Sequence, residues 1–147
     1  MEFELKPYIG ALPITFDMGA AEVEKCIGPA KSAITVGGEL DEFRKSKQLP
    51  AMPLHVFYSE TGKVVEIGFN KGSVLKYKGV DLFKEKNTIR LLAADDQAKE
   101  NKGTIVFLKF GVAMRGFHDP VTKKDIVVFC RGRWDFLVSK LVNFEVK

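Results

Sequence analysis

Few residues of this sequence have the chemistry of an acid–base or metal site. There are only two histidines, His55 in the stretch LHVFY and His118 in the stretch GFHDP. A histidine beside an aspartate, as at His118-Asp119, suggests a general base with its orienting carboxylate. Adjacent residues of an extended chain point to opposite faces, however, so these two side chains are poorly placed to act together. Asp119 before Pro120 is better explained as the first residue of a turn.

The two cysteines, Cys26 and Cys130, are the candidate nucleophiles. Arg131 follows Cys130 and could lower the pKa of its thiol, as catalytic cysteines require. The stretch VVFCRG is otherwise apolar, which favours a buried and unreactive thiol. Neither cysteine belongs to a C-x-x-C pair, so we expect two buried free thiols rather than a disulfide or a metal site.

Motifs of known catalytic sites do not occur in this sequence. It contains no H-x-x-x-H spacing, no G-x-S-x-G and no phosphate-binding loop. A catalytic site needs convergent polar groups, and the sequence gives no sign of them. We therefore expect a protein that is not an enzyme, with no catalytic residue, no metal ligand and no cofactor.

Cationic and aromatic side chains alternate along several predicted strands. By this alternation they share the solvent side of a sheet, with tyrosines near its edges. Such surfaces are typical of protein recognition, because rigid rings lose little entropy and arginine forms directional hydrogen bonds. The predicted contact residues are His55, Phe57, Tyr58, Lys76, Tyr77, Lys78, Lys109 and Arg131. If helices cover this face instead, the rings are buried and only scattered lysines stay exposed.

Size and composition bound the architecture and the partners. The chain has 147 residues, 46% of them hydrophobic and 29% charged, and a formal net charge of +4. This fits a single domain over 1–147 and favours an acidic partner, although the dispersed charges indicate a solvated surface rather than nucleic-acid binding. The N-terminus lacks a secretory signal, and no apolar run approaches the ~20 residues that cross a bilayer. We therefore expect a cytoplasmic protein with no membrane partner.

Two short helices and several strands would hold these residues. The stretch FDMGAAEVEKCIGPA predicts a helix over about 18–27, with Asp17 as N-cap and Gly28-Pro29 as its end. A second helix is expected from about Asn87. SAITVGG predicts a strand, and ELDEFRKSKQLPAMP after it predicts a loop or a frayed helical turn.

The clearest β signal is a hairpin in LHVFYSETGKVVEIGF, with its turn at Gly62. Its second strand is expected to bury Val65, Ile67 and Phe69. The stretch TIVFLKFGVAMRGF is similar to this hairpin, and each copy follows a predicted helix. We therefore predict a helix and β-meander unit used twice, over about 14–79 and 80–131. Chance similarity of two hairpins is the alternative, because β-rich runs around glycine are common.

The last segment, RWDFLVSKLVNF, has the strongest helical periodicity in the sequence. Its apolar residues recur at i, i+3, i+4, i+7 and i+8, which predicts a core-packing helix over 133–144. The predicted fold class is α+β, with a mostly antiparallel sheet and about three helices.

Part of the sequence resembles a known structural unit. Met18-Gly19, Val23 and Gly28-Pro29, followed by the YSETGKVVEIGF meander, resemble the helix and sheet of the small outer-membrane assembly lipoproteins and the β-lactamase inhibitory protein. The second copy lacks the Gly-Pro helix ending. There is no lipobox cysteine, so the lipoprotein role is not carried over.

In size, element order and lack of catalytic residues, the whole chain resembles the cytosolic immunity proteins of bacterial toxin–immunity pairs, of type VI or contact-dependent systems. The resemblance implies inhibition of a cognate toxin by tight stoichiometric binding and occlusion of its active site. We expect an acidic toxin surface opposite the predicted cations and no small-molecule substrate. The alternative is a nucleic-acid-binding module, in which the same cations and rings contact backbone and bases.

Overall fold

The computed structural model describes residues 1–44, 54–119 and 121–146. In this part of the chain, three helices accompany one sheet of nine strands and one of five. The elements are β1 (Phe3–Lys6), β2 (Gly10–Leu12), β3 (Ile14–Thr15), α1 (Ala20–Ile27), β4 (Ser32–Val36), β5 (Glu39–Arg44), β6 (Leu54–Tyr58), β7 (Val64–Asn70), β8 (Leu75–Tyr77), β9 (Val80–Asp81), α2 (Thr88–Ala93), β10 (Lys99–Asn101), β11 (Thr104–Phe107), β12 (Val112–Arg115), β13 (Asp125–Phe129), α3 (Asp135–Val138) and β14 (Val142–Asn143). The predicted α+β class with a mostly antiparallel sheet is confirmed.

The large sheet runs β14-β10-β11-β12-β13-β7-β6-β5-β4, and every neighbouring pair in it is antiparallel. The small sheet runs β3-β2-β1-β8-β9 and contains one parallel pair, β1 with β8. The two sheets and both longer helices share one hydrophobic core. Val23 and Ile27 of α1 are buried in this core, as are Ile89 and Leu92 of α2. The small sheet, α1 and α2 therefore cover one face of the large sheet.

The predicted hairpin is confirmed as β6 and β7, and Gly62 in its turn has a φ of 83°. Ile67 and Phe69 are buried as expected, but the third buried residue of β7 is Val64 rather than Val65. A register shift at the end of β6 places Val64 opposite Tyr58. The extra residue of such a β-bulge breaks strict alternation, which a period-two pattern alone does not reveal.

Both predicted helices are present, beginning at Ala20 and Thr88. The N-cap of α1, however, is Gly19, whose backbone N–H donates to Glu22 Oε1 at 3.3 Å. Asp17 lies too far upstream and instead accepts a hydrogen bond from Thr15 Oγ1. The C-cap is Gly28, with a φ of 89°, as the Gly-Pro ending predicts.

The prediction of a loop or helical turn after Gly38 is wrong for residues 39–44, which form β5. This acidic strand obtains its backbone hydrogen bonds from β4 on one side and β6 on the other. Its Glu42 is buried and accepts a hydrogen bond from the Tyr58 hydroxyl at 2.6 Å. Pairing on both sides stabilises a strand whose composition disfavours one. Residues 45–53 of the same prediction lie outside the described residues.

The predicted C-terminal helix over 133–144 is also wrong in extent, because α3 spans only Asp135–Val138. The chain then forms β14, which pairs with β10 at the end of the large sheet. Trp134 and Leu141 pack on the sheet as a core-facing stripe would, but Val142 is 62% exposed. Strand pairing therefore overrides helical periodicity after Leu141.

The order of elements repeats along the chain. Helix α1 precedes the meander β4–β7, helix α2 precedes the meander β10–β13, and the two meanders join where β7 pairs with β13. Duplication of one unit stays a prediction. No helix in the described ranges is long and apolar enough to cross a membrane.

Candidate functional site

Described residues of the C-terminal segment cover one end of the second face of the large sheet. At that end Trp134 stacks on Phe129 of β13, with ring centroids 5.2 Å apart, and Tyr8 and Leu141 pack beside them. Over the other end, formed by β4–β7 and the adjoining ends of β12 and β13, no cluster of described residues packs in this way. We call it the open face. By strand register its side chains are Ser32, Ile34, Val36, Glu39, Asp41, Phe43, His55, Phe57, Glu66, Gly68, Asn70, Arg115, Asp125 and Val127.

A row of rings crosses the open face. His55 lies between Phe43 and Phe57, with ring centroids 5.2 Å and 6.2 Å away. Its Nδ1 is 3.0 Å from Asp41 Oδ1, which fixes the orientation of the half-exposed ring. Opposite His55 on β7 stands Gly68, so the surface drops beside the rings into a depression of about 280 Å³.

Most charges of the open face are paired within it. The Arg133 guanidinium donates to Glu39 Oε2 at 2.6 Å and to Glu66 Oε1 at 3.4 Å. The hydrogen bond from Arg133 to Glu39 lowers the pKa of the Glu39 carboxyl. Arg115 donates to both carboxylate oxygens of Asp125, at 2.6 Å and 3.2 Å. The hydrogen bond from Arg115 to Asp125 raises the pKa of Arg115. The face is thus ordered by ion pairs and carries no excess of cations.

The outer margin of the open face is the edge strand β4. All five of its residues are exposed, including Ile34 at 59% and Val36 at 64%. No residue of β4 is charged, and among the described strands only β5 pairs with it. Edge strands usually carry charges or prolines that prevent further pairing. β4 contains neither a charge nor a proline, and no other described strand pairs with its outer side.

The prediction that six contact residues share one solvent face, with Tyr58 and Tyr77 near its edges, is wrong. His55 and Phe57 lie on the open face, but Tyr58 is 1% exposed and points into the core. The β-bulge at the end of β6 does not alter this, because Tyr58 alternates with Phe57 along the strand.

The other five predicted residues lie elsewhere. Lys76 and Tyr77 belong to β8 of the small sheet, because this strand pairs with β1 rather than with the meander. Tyr77, Lys78 and Lys109 do come together, in a cleft of about 330 Å³ beside Phe110. Alternation along a strand predicts faces, but it does not say which sheet the strand joins.

Arg131 lies with its guanidinium carbon 4.2 Å from the centre of the Tyr8 ring. Tyr8 also donates its hydroxyl hydrogen to the carbonyl oxygen of Leu108. Burial of Tyr8 raises the pKa of its hydroxyl more than Arg131 lowers it. Arg131 thus covers an aromatic ring and lies outside the open face.

Cys26, Cys130 and Asp119, which the sequence offered as candidate catalytic groups, lie outside the open face, whereas His118 is exposed and lines a separate cavity. Cys26 and Cys130 are free and half-buried rather than fully buried, and burial raises the pKa of the Cys130 thiol. Asp119 accepts hydrogen bonds from the Val121 N–H at 2.9 Å and the Thr122 hydroxyl at 2.5 Å, as a turn-opening residue does. Pro120 lies outside the described residues. Within the described ranges no three His, Cys, Asp or Glu side chains cluster as a metal site would require.

Ile34, Val36 and Phe43 are the main surface residues that the sequence predictions missed. The signal for Ile34 and Val36 was the stretch SAITVGG, an uncharged β-branched strand that ends in a two-glycine turn. Such a stretch is normally buried. Only the position of β4 at the edge of the sheet shows that these side chains are exposed. A comparison with protein-family models, curated proteins and solved structures found no match for the chain.

Proposed function

We propose that this chain is an immunity-type inhibitor. It binds a cognate secreted bacterial toxin in the cytoplasm, in a tight stoichiometric complex, and occludes the toxin's active site. One observation carries the proposal: the row of rings on the open face adjoins an exposed, uncharged edge strand, β4. Contiguous exposed apolar surface with a polar surround is characteristic of protein–protein interaction sites.

The edge strand indicates how the partner is held. An extended segment of the partner adds to β4 as a further strand, and its main-chain hydrogen bonds contribute affinity. Side chains of the added strand on the same face as Ile34 and Val36 extend the open face, and a loop of the partner that crosses β4 and β5 reaches Phe43 and Phe57 as anchors. Preformed anchors lose little entropy on binding, which favours a tight complex.

The charges of the open face change the expected partner surface. Because Glu39, Glu66 and Asp125 are already paired with Arg133 and Arg115, a strongly acidic partner gains little there. Truncating one member of such a pair leaves the other unpaired, which is costly at an interface. The fitting partner is therefore an apolar strand or loop edge with hydrogen-bonding groups.

Nucleic-acid binding is the second candidate, and one observation favours it. The cleft of Tyr77, Lys78 and Lys109 places cations beside a partly buried ring, with Lys78 Nζ 5.4 Å from the Tyr77 ring centre. Stacking and backbone contacts of this kind bind single strands with steep salt dependence. The Lys109 ammonium, however, already donates to the Asp95 carbonyl oxygen at 3.0 Å.

The test compares the wild-type chain with Val36→Asp and with Val121→Asp as matched control. Val121 is 90% exposed and lies away from β4, so the control adds the same charge outside the open face. Each tagged chain is used to capture proteins from the source cells, and each captured toxin-like protein is then co-expressed with each chain in a growth assay.

We expect a protein retained at one-to-one stoichiometry by wild type and Val121→Asp and lost with Val36→Asp, with rescue of growth following the same order. Equal retention by all three chains would contradict the β4 interface. Retention without rescue would contradict the inhibitor function. Salt-sensitive capture of nucleic acid instead of protein would support the second candidate.

A further inference from the structure

A separate cavity of about 460 Å³ lies outside the open face. Its walls come from the start of α2, the segment after β12 and the segment after β14. Phe117, Phe144 and Val146 form apolar parts of the lining, and Ile89 and Thr88 connect it to the core. This volume lies in the range of small-molecule sites, which combine apolar walls with a few polar groups.

Cations dominate the charged lining of this cavity. Lys86, Arg90 and Lys124 line it together with a single acid, Glu145. Within the described ranges none of these three cations forms an ion pair with a carboxylate. The open face shows the opposite arrangement, since its arginines are paired. A concave surface lined by one sign of charge concentrates the electrostatic potential and attracts the opposite sign.

Aromatic rings hold two of the polar groups in place. Lys124 Nζ lies 4.9 Å from the centre of the Phe117 ring. His118 packs edge-on against Phe144, with ring centroids 5.4 Å apart. The Phe117 ring packs against Phe83 of the core, with ring centroids 5.8 Å apart, so this wall of the cavity is fixed to the core. The ammonium group and the ring surface are therefore presented side by side.

We propose that this cavity binds a small aromatic anion, that is, a planar ring carrying a carboxylate or a phosphate. The ring packs against Phe117 and Phe144, and the anionic group accepts hydrogen bonds from Lys124 and Arg90. Tight binding requires both the ring and the anionic group of the ligand, because the cavity offers ring surface and unpaired cations together. The site shares no residue with the open face, so it stands independently of the proposed toxin interface.

The test titrates the full chain by calorimetry with four probes: AMP, indole-3-acetate, adenosine and inorganic phosphate. We expect AMP, indole-3-acetate or both to bind, and adenosine and phosphate to bind at least about tenfold more weakly, since each lacks one half of the ligand. Binding of AMP alone identifies a nucleotide as the source of the ring and anion. Binding of indole-3-acetate alone identifies an aromatic carboxylic acid. Binding of neither overturns the proposal.

Two variants locate the site. Lys124→Gln removes the ammonium beside Phe117, and Lys123→Gln is its matched control, because Lys123 is exposed and does not line the cavity. We expect Lys124→Gln to weaken binding about tenfold and Lys123→Gln to leave it unchanged. Arg90→Gln, an exposed change on α2, should weaken binding in the same sense. Equal affinity of all variants would place the ligand elsewhere and overturn the proposal.

Discussion

At the scale of single residues, hydrogen-bond partners decide which polar side chains are structural. Tyr58 and Glu42 illustrate this, since the sequence predicted Tyr58 near the edge of a recognition surface and Glu42 in a loop or helical turn. They are instead 1% and 7% exposed and joined by a hydrogen bond of 2.6 Å. A buried carboxylate needs such donors, because burial without them is costly. Tyr58 is therefore a core residue whose hydroxyl group donates a hydrogen bond to a buried carboxylate.

Tyr58→Phe should lower the free energy of unfolding by about 1–3 kcal/mol, because Glu42 loses a donor in a buried place. Urea denaturation followed by circular dichroism measures the change. Tyr77→Phe is the control, since its hydroxyl forms no hydrogen bond with the described residues, and it should leave stability nearly unchanged. Equal effects of the two changes would contradict the structural role of Tyr58.

Glu39→Gln should show a pH-dependent loss of stability. The hydrogen bond from Arg133 lowers the pKa of Glu39 in the folded state. A carboxyl of this kind stabilises the fold above its unfolded pKa, and the contribution is lost as pH falls through the folded pKa. Wild type should therefore exceed the variant in stability at pH 7, and the gap should shrink between about pH 5 and pH 3.

Thermal unfolding of both proteins across this pH range measures the gap. Glu60→Gln serves as control, because Glu60 is exposed and forms no ion pair with the described residues. The ion-pair explanation fails if the difference between wild type and Glu39→Gln stays constant down to pH 3.

At the scale of elements, the strands of the large sheet serve two faces with different demands. The core face requires tight packing, whereas the open face tolerates a glycine in the middle of β7. Glycine in a strand interior weakens the strand, and it often marks a place of close approach. A Cβ atom at Gly68 would lie 3.7 Å from the His55 Cβ, which is ordinary contact. Packing among the described residues therefore does not require glycine here.

Gly68→Ala should raise the free energy of unfolding by about 0.5–1 kcal/mol and weaken binding to the captured partner, because the added methyl group partly fills the depression beside His55. Urea denaturation and calorimetry with the purified partner measure the two effects. Gly62→Ala is the contrasting change: its φ of 83° is unfavourable for alanine, so it should lower stability and leave binding unchanged. Unchanged partner binding by Gly68→Ala would exclude the depression from the interface.

At the scale of the whole molecule, the C-terminal segment decides how much of the second sheet face is available. Trp134 stacks on Phe129 and donates from its indole N–H to Glu66 Oε1 at 2.9 Å. The segment thus covers β11–β13 and stops beside the open face. Among the described residues, Trp134 and the Arg133 ion pairs lie at the boundary between the covered and the open surface.

Trp134→Ala should lower the free energy of unfolding by about 2–4 kcal/mol, because it removes a large ring from a packed cluster and a donor from Glu66. Phe136→Ala, at a ring that is 72% exposed, should cost only about 0.5 kcal/mol. Chemical denaturation followed by circular dichroism compares the two. A cost for Trp134→Ala as small as that for Phe136→Ala would show that the segment is not docked in solution.

Local signals predicted the parts of the fold that depend on neighbours in sequence. The Gly28 helix ending, the start of α2 and the hairpin around Gly62 follow from backbone preferences and short-range periodicity, which act within a few residues. The free cysteines and the turn at Asp119 follow from equally local chemistry.

Tertiary structure alone decided which residues share a surface. β5 is a strand because β4 and β6 pair with it, although its composition is that of a loop. Lys76 left the predicted surface because β8 pairs with β1 in the other sheet, and the helical stripe after Trp134 gave way to pairing of β14 with β10. Alternation along a strand separates its two faces, but the partner strand, the bulge and the covering segment determine what each face meets. Those contacts join residues far apart in sequence, so the open face, its edge strand β4 and the cationic cavity belong to the fold rather than to any motif.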